Sequence, residues 1–147
     1  MPHITLIYPF RPATEFSSVA EIMKPGCSSI EPFGVELRSF KMFVHPSGRC
    51  TLWLAPHPTG QVTGLQSAIA KAVPDCDDVS RFKGGFTPRL SVGQAPSRRA
   101  GELLREELNR DWRPLAFTVD RVSFISRGDP PGDVFRRALD IDLGESA

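Results

Sequence analysis

Two short segments carry nearly the same set of side chains, and that set suits the handling of a phosphate. Residues 2–6 read PHITL and residues 88–92 read PRLSV, so each has a base followed at the second position by a hydroxyl. On a β-strand, successive side chains point to opposite faces, so His3 shares a face with Thr5, and Arg89 shares a face with Ser91. The repeated pattern predicts a site that grips one phosphate from two sides.

The two segments differ at the basic position, and the difference is chemical. A histidine exchanges a proton near neutral pH, so His3 can serve as a general acid or base. An arginine stays charged, so Arg89 can hold phosphate oxygens and stabilise negative charge but cannot exchange the proton. An arginine in place of a second histidine therefore retains phosphate binding and removes general acid–base catalysis, which is typically worth about 10²–10⁴-fold in rate.

Length and composition limit the class of protein. A chain of 147 residues with 40% hydrophobic and 24% charged residues fits one soluble globular domain. A net charge of +1 argues against wrapping of duplex DNA by bulk electrostatics. Five basic and no acidic residues lie between positions 81 and 99, which places the second segment in a positive stretch of sequence.

The cysteines and the N-terminus bear on the compartment. Cys27, Cys50 and Cys76 are widely spaced and form no CxxC pair, which argues against structural disulfides and zinc sites. The N-terminal apolar run is short, and no stretch reaches the length of a membrane span. The sequence predicts a cytoplasmic protein without a membrane segment.

Periodicity predicts two similar halves. The first half begins with a strand at about residues 3–8 and a helix at about 15–24, which Pro25 and Gly26 end. Apolar and polar residues then alternate from Phe33, and the alternation reverses its phase at positions 38–39. A return strand at 51–54 and a helix at about 61–73 complete this half. The second half repeats this order with a strand at 89–93, a helix at about 97–109, alternating residues from Leu115 with a slip at positions 120–121, and a last strand near position 141. This order predicts an α+β fold in one domain over residues 1–147. It consists of two pseudo-twofold βαββ lobes, at about 1–74 and 86–147, whose antiparallel sheets line a central cleft with the helices outside.

With these motifs the chain resembles the two-histidine phosphoesterases, which include the bacterial 2′-5′ RNA ligase-like proteins and RNA 2′,3′-cyclic phosphodiesterases. Their signature is a pair of His-x-Thr/Ser motifs on core strands of a bilobal fold, and residues 3–5 and 89–91 correspond to it except at Arg89. The resemblance implies hydrolysis of 2′,3′-cyclic phosphates on RNA ends or small nucleotides without a metal or other cofactor. One motif histidine would activate water, the other would protonate the leaving ribose oxygen, and Thr5 and Ser91 would hold phosphate oxygens.

The resemblance also implies a strand and a helix ahead of the first motif, whereas this sequence starts almost at the motif. We expect a sheet edge left uncovered in this way to favour a homodimer.

Several other side chains have two interpretations each. Tyr8, Phe10 and Phe86 flank the motifs and would either stack a base or pack in the core. His45 lies in a turn signal and His57 follows Pro56 in a loop, so both are interpreted as exposed loop residues, although His57 could enter the cleft in place of the missing acid. Two tryptophans, Trp53 and Trp112, are interpreted as core, and Arg127 would either reach the cleft or cap a turn.

Three functions remain open at this point. The first is an enzyme that opens 2′,3′-cyclic phosphates, slowed by Arg89. The second is a catalytically inactive module that binds a phosphate or nucleotide through Thr5, Arg89 and Ser91. The third is a scaffold that depends on a partner chain. The sequence carries no P-loop and no GxGxxG fingerprint, which argues against chemistry driven by ATP.

Overall fold

The computed structural model describes residues 1–78, 84–128 and 133–144. Its elements are a 3₁₀ turn (Ala13–Glu15), α1 (Phe16–Ser28), β1 (Phe33–Val44), β2 (Cys50–His57), α2 (Gly60–Ala72), β3 (Leu90–Ala95), α3 (Arg98–Asp111), β4 (Leu115–Val119), β5 (Arg121–Ser126) and β6 (Arg136–Asp142). No helix among the described residues has the length and apolarity to cross a membrane.

The strands form two antiparallel sheets. One has four strands in the order β3-β2-β1-β4, and the other pairs β5 with β6. The four-stranded sheet takes two strands from each half of the sequence, so the halves interleave. With helices packed against antiparallel sheets, the predicted α+β class is confirmed.

The phase slips have different consequences in the two halves. In β1 the register shifts between Leu37 and Phe40, as predicted. Residues 33–37 pair with β4, and residues 36–37 and 40–44 pair with β2. At Asp120 the chain instead leaves the four-stranded sheet and enters the two-stranded one. A local break in alternation therefore marks a bulge in one half and a change of sheet in the other.

Helix α3 packs against one face of the four-stranded sheet. Gly101 of α3 lies so close to β2 that an added Cβ would stand 3.1 Å from Cys50 Cβ. Leu52 and Leu54 of β2 are buried on the same side. Because side chains alternate along a strand, Thr51 and Trp53 project from the opposite face.

Helices α1 and α2 pack together over a separate core. This core joins both helices to the start of β1 and to β5 and β6, and its buried members include Phe16, Met23, Leu65 and Phe124. The segment before α1 contributes partly buried residues to it, among them Leu6, Ile7 and Phe10.

Two predictions about the first half are wrong. Residues 3–8 form no strand, because Pro2 and Pro9 bracket the segment and no described strand pairs with it. The first helix continues past Pro25 to Ser28. There Cys27 is 1% exposed and its carbonyl accepts bonds from the amides of Ile30 and Gly144, contacts that offset the proline's lost hydrogen bond.

Candidate active site

A large groove of about 1030 Å³ runs along the N-terminal segment. Residues 1–13 form one wall, and residues from α1, α2, β4, β5 and β6 form most of the rest, together with Phe33, Leu90, Arg127 and Phe135. His3, Thr5, Tyr8 and Phe10 all line it. A shallower depression on α3, near Glu102, contains none of the predicted site residues.

His3 is held with one ring nitrogen engaged. Its Nδ1 lies 2.9 Å from the carbonyl oxygen of Met1. Since a carbonyl only accepts, Nδ1 donates this bond, and Nε2 is left for another partner. The imidazole is half-buried and meets the ring of Phe135 edge-on, at 5.7 Å between centroids and 72° between planes.

Arg127 reaches the same aromatic ring from another side. Its guanidinium carbon lies 4.5 Å from the centroid of Phe135, and Arg127 lines the groove. Of the two interpretations of Arg127, the structure supports the one in which it reaches the cleft. We call His3, Phe135 and Arg127 the first His–Phe–Arg cluster.

The groove is electropositive. Among the described residues that line it are four arginines, Arg11, Arg121, Arg127 and Arg137, and no carboxylate. Three of these contact carboxylates outside the lining: Arg11 bonds to Asp75, while Arg121 and Arg137 lie 3.8 and 3.6 Å from Asp140.

The charges beside β5 are fixed by hydrogen bonds. Asp140 also accepts a bond of 2.7 Å from the hydroxyl of Ser123, which lines the groove. Arg121 donates to Asp120 and thereby lowers the pKa of that carboxyl below its usual value. The lowered pKa favours the ionised form of Asp120, and the hydrogen bond from Ser123 fixes the position of the Asp140 carboxylate.

The side chain of Arg89 lies on the face of the four-stranded sheet opposite α3. The guanidinium carbon of Arg89 lies 4.7 Å from the ring centroid of Phe43 and 5.1 Å from that of Trp53. Ser91 stands opposite Trp53 in the register of β2 and β3. Neither Arg89 nor Ser91 lines the groove, but Leu90, between them, does.

Trp53 is buried beneath two cations. It is 9% exposed, and Lys41 Nζ lies 5.6 Å from its centroid, in addition to Arg89. Its indole Nε1 is buried with no hydrogen-bond partner among the described residues. The predicted burial of Trp53 is confirmed. Trp112 is half-buried on Phe40 and donates to the carbonyl of Leu37 at 2.9 Å.

The interpretation of His45 as an exposed loop residue is wrong. It is half-buried, with Nε2 2.7 Å from Thr51 Oγ1 and its ring edge-on to Phe43 at 4.7 Å and 75°. His45, Phe43 and Arg89 form a second His–Phe–Arg cluster. The hairpin turn at 45–48 suggested exposure, but its first residue still points along the sheet face as a strand residue does.

The aromatic residues beside the motifs differ in burial. Tyr8 is 64% exposed at the groove. Phe10 also lines it but packs edge-on against Phe124 and at a tilt on Phe16, and Phe86 packs against the same core. His57 is exposed at the end of β2 and does not line the groove.

Part of the predicted positive stretch lies outside the described residues, namely Arg81 and Lys83. In residues 1–78, 84–128 and 133–144, no three His, Cys, Asp or Glu side chains gather as metal ligands would.

Similarity to known proteins extends over nearly the whole chain. A family model described as the 2′-5′ RNA ligase superfamily matches residues 1–131. The fold is similar to TT0787 of Thermus thermophilus, with a TM-score of 0.66 and 19% identity over 99% of this chain and 80% of that one. It is also similar to LigT of E. coli complexed with 3′-AMP, with a TM-score of 0.64 and 15% identity over 98% of this chain and 78% of that one. No curated protein matches the sequence.

Proposed function

This chain belongs to the 2′-5′ RNA ligase superfamily of two-histidine phosphoesterases, and we propose that it hydrolyses 2′,3′-cyclic phosphates of RNA ends or small nucleotides. The phosphate lies at the mouth of the groove, between His3 with Thr5 and the second motif with Arg89 and Ser91.

One observation carries the proposal. A half-buried histidine with a free Nε2 faces a groove whose charged side chains, among the described residues, are all cationic. A cyclic phosphate carries a negative charge, which arginines attract and hold through paired N–H groups. A histidine beside such a group can move the protons that ester hydrolysis requires.

The reaction needs two proton transfers. A base takes a proton from water as the water oxygen bonds to phosphorus, and an acid gives a proton to the ribose oxygen as its bond to phosphorus breaks. One water is added overall, and a phosphomonoester with a free hydroxyl results. In the proposal His3 performs one transfer, Thr5 and Ser91 donate hydrogen bonds to phosphate oxygens, and Tyr8 at the groove stacks a base.

The test is hydrolysis of a 2′,3′-cyclic nucleotide and of an RNA that ends in a cyclic phosphate. We expect the wild type to act on one or both, and His3→Ala to lose about 10²–10⁴-fold of the rate. His57→Ala is the matched control, because His57 is exposed and lies outside the groove lining. Equal rates in wild type and His3→Ala, or no hydrolysis at all, would overturn the proposal.

A second candidate is an inactive phosphate-binding module, favoured by the arginine at position 89. Such a module would bind 3′-AMP without turnover of any cyclic phosphate, and Arg89→His would create activity where the wild type has none. A scaffold that depends on a partner chain would instead bind no phosphate. Binding of 3′-AMP by the wild type, weakened in Arg89→Ala, would therefore exclude the scaffold and leave the enzyme and the binding module.

A further inference from the structure

We propose that His45 supplies the second proton-transfer group of the site, while Arg89 and Arg127 hold the phosphate charge. The inference rests on the proposed function and adds a residue to the same reaction. It replaces the expectation that Arg89 leaves the site one group short.

The two His–Phe–Arg clusters have nearly the same geometry. In each, one phenylalanine ring meets a histidine edge-on, at 72° for His3 and 75° for His45. In each, a guanidinium lies over that ring, at 4.5 Å for Arg127 and 4.7 Å for Arg89. The molecule therefore contains the same three-part arrangement twice, and each copy combines residues from both halves of the sequence.

The internal repeat shows that the two charged positions are exchanged. Phe33, Phe40 and His45 correspond to Leu115, Val122 and Arg127 at one constant spacing in the sequence. The first cluster thus has histidine in the motif and arginine after the phase-shifted strand. The second has arginine in the motif and histidine after the strand. Each cluster thus combines one group that exchanges a proton with one that stays charged.

His45 is held as a proton-transfer group needs to be. Its backbone closes the hairpin, with the His45 amide 2.8 Å from the Arg49 carbonyl and its own carbonyl 2.8 Å from the Gly48 amide. The Thr51 hydroxyl at Nε2 both donates and accepts, so it can pair with the imidazole before and after protonation. No described hydrogen bond engages Nδ1, which mirrors the free Nε2 of His3.

The arginines of the clusters are available to an anion. No ion pair joins Arg89 or Arg127 to a carboxylate in the part of the chain that the structure describes. A guanidinium stacked by its face on an aromatic ring keeps its N–H edges free for phosphate oxygens. Leu90, between Arg89 and Ser91, lines the groove that holds His3, so the backbone of the second motif borders that groove, while the side chains of Arg89 and Ser91 project from the other face of β3.

The experiment exchanges the histidine and the arginine of the second His–Phe–Arg cluster. We expect His45→Gln to lower kcat for a 2′,3′-cyclic nucleotide by about 10²–10⁴-fold and to remove one limb of the pH–rate profile, while binding of 3′-AMP is kept. His45→Arg should lose as much, and His45→Arg with Arg89→His, which copies the first cluster, should regain most of it. His57→Gln is the matched control and should match wild type.

A second variant and a binding measurement distinguish a role of His45 in the reaction from a role in folding. Thr51→Val removes the hydroxyl at Nε2 and should lower kcat less than His45→Gln, with KM unchanged. In the His3→Ala protein, addition of 3′-AMP should shift the imidazole NMR signals of His45 and leave those of His57 in place.

Three outcomes would overturn the inference and leave the proposed function standing: His3-dependent hydrolysis that His45→Gln does not change, a higher rate in Arg89→His alone, or a His45 signal that 3′-AMP does not shift. Absence of His3-dependent hydrolysis in the wild type would overturn the proposed function and the inference together.

Discussion

The two motif segments share a residue pattern and differ in structure. The second motif continues into β3, which pairs with β2 along the edge of a four-stranded sheet. The first motif forms no strand among the described residues, and its segment is anchored by the side chains of Leu6, Ile7 and Phe10 in the core beneath α1 and α2. The same alternation of side chains becomes a strand only where a neighbouring strand offers free N–H and C=O groups.

A salt bridge compensates for part of this difference. Arg11, at the end of the first segment, bonds to Asp75 at 2.7 Å and to Glu15 at 3.1 Å. These bonds tie the segment to the chain just after α2 and to the 3₁₀ turn before α1. The first motif is therefore positioned by side chains, and the second by the backbone of a sheet.

The largest expected effect on stability concerns the strand that supports the second motif. Leu52 of β2 is 0% exposed, and Leu52→Ala should lower the free energy of unfolding by about 2–5 kcal/mol, because it leaves a cavity beneath α3. Ile4→Ala, in the half-buried first motif, should cost clearly less. Urea unfolding of both variants measures the difference. Equal losses would mean that the two motifs are supported equally well.

The closeness of α3 to the sheet predicts an intermediate effect. An alanine Cβ at position 101 would lie 3.1 Å from Cys50 Cβ and 3.2 Å from its Sγ, so Gly101→Ala should destabilise by about 1–3 kcal/mol. Gly64→Ala in α2, where no atom lies within 4 Å of the added Cβ, should stabilise by about 0.5–1 kcal/mol. Thermal unfolding checks the opposite signs, and a stabilising Gly101→Ala would contradict the packing described.

The smallest effect concerns the anchor of the first motif. The hydrogen bond from Arg11 holds the pKa of the Asp75 carboxyl below its usual value, so the folded state favours the carboxylate. The resulting stability is present above the unfolded pKa of about 3.9 and is lost as the pH falls through the lower folded pKa. The effect is small because Asp75 is exposed to solvent.

Thermal unfolding of wild type and Asp75→Asn between about pH 2 and pH 7 tests this sign. The melting temperatures should differ at neutral pH and converge at the acid end. Asp111→Asn is the control, since no described ion pair includes Asp111. A difference that grows as the pH falls would have the wrong sign for this bond.

Most helices and the bulge of β1 were predictable because they depend on local patterns. The buried face of α2 and of α3 follows from the spacing of their apolar residues, and the bulge of β1 follows from the reversed alternation at positions 38–39. A capping hydroxyl such as that of Ser97 marks where a helix begins. The end of α1 was not predictable in this way. Pro25 is a local stop signal, and the burial of Cys27 outweighs it only once the tertiary structure exists.

The sequence predicted the candidate site residues that belong to the two repeated motifs. The pattern indicated His3, Thr5, Arg89 and Ser91, and their roles stay predictions for the experiments above. The sequence did not indicate the half-buried position of His45, on which the further proposal rests, since a histidine at a turn signal usually faces solvent. The signal that could have found it is its correspondence with Arg127 in the repeat.

The sequence by itself determined the family and the α+β class, because these follow from side-chain types and their spacing along the chain. The tertiary structure decided which segments pair, and so left the first motif without a strand while the second joined a sheet. It also decided which basic side chains contact the same ring, since Phe135 contacts both His3 and Arg127, and Phe43 contacts both His45 and Arg89. Contacts between residues far apart in the chain depend on how the sheets and helices pack, and local spacing does not contain that information.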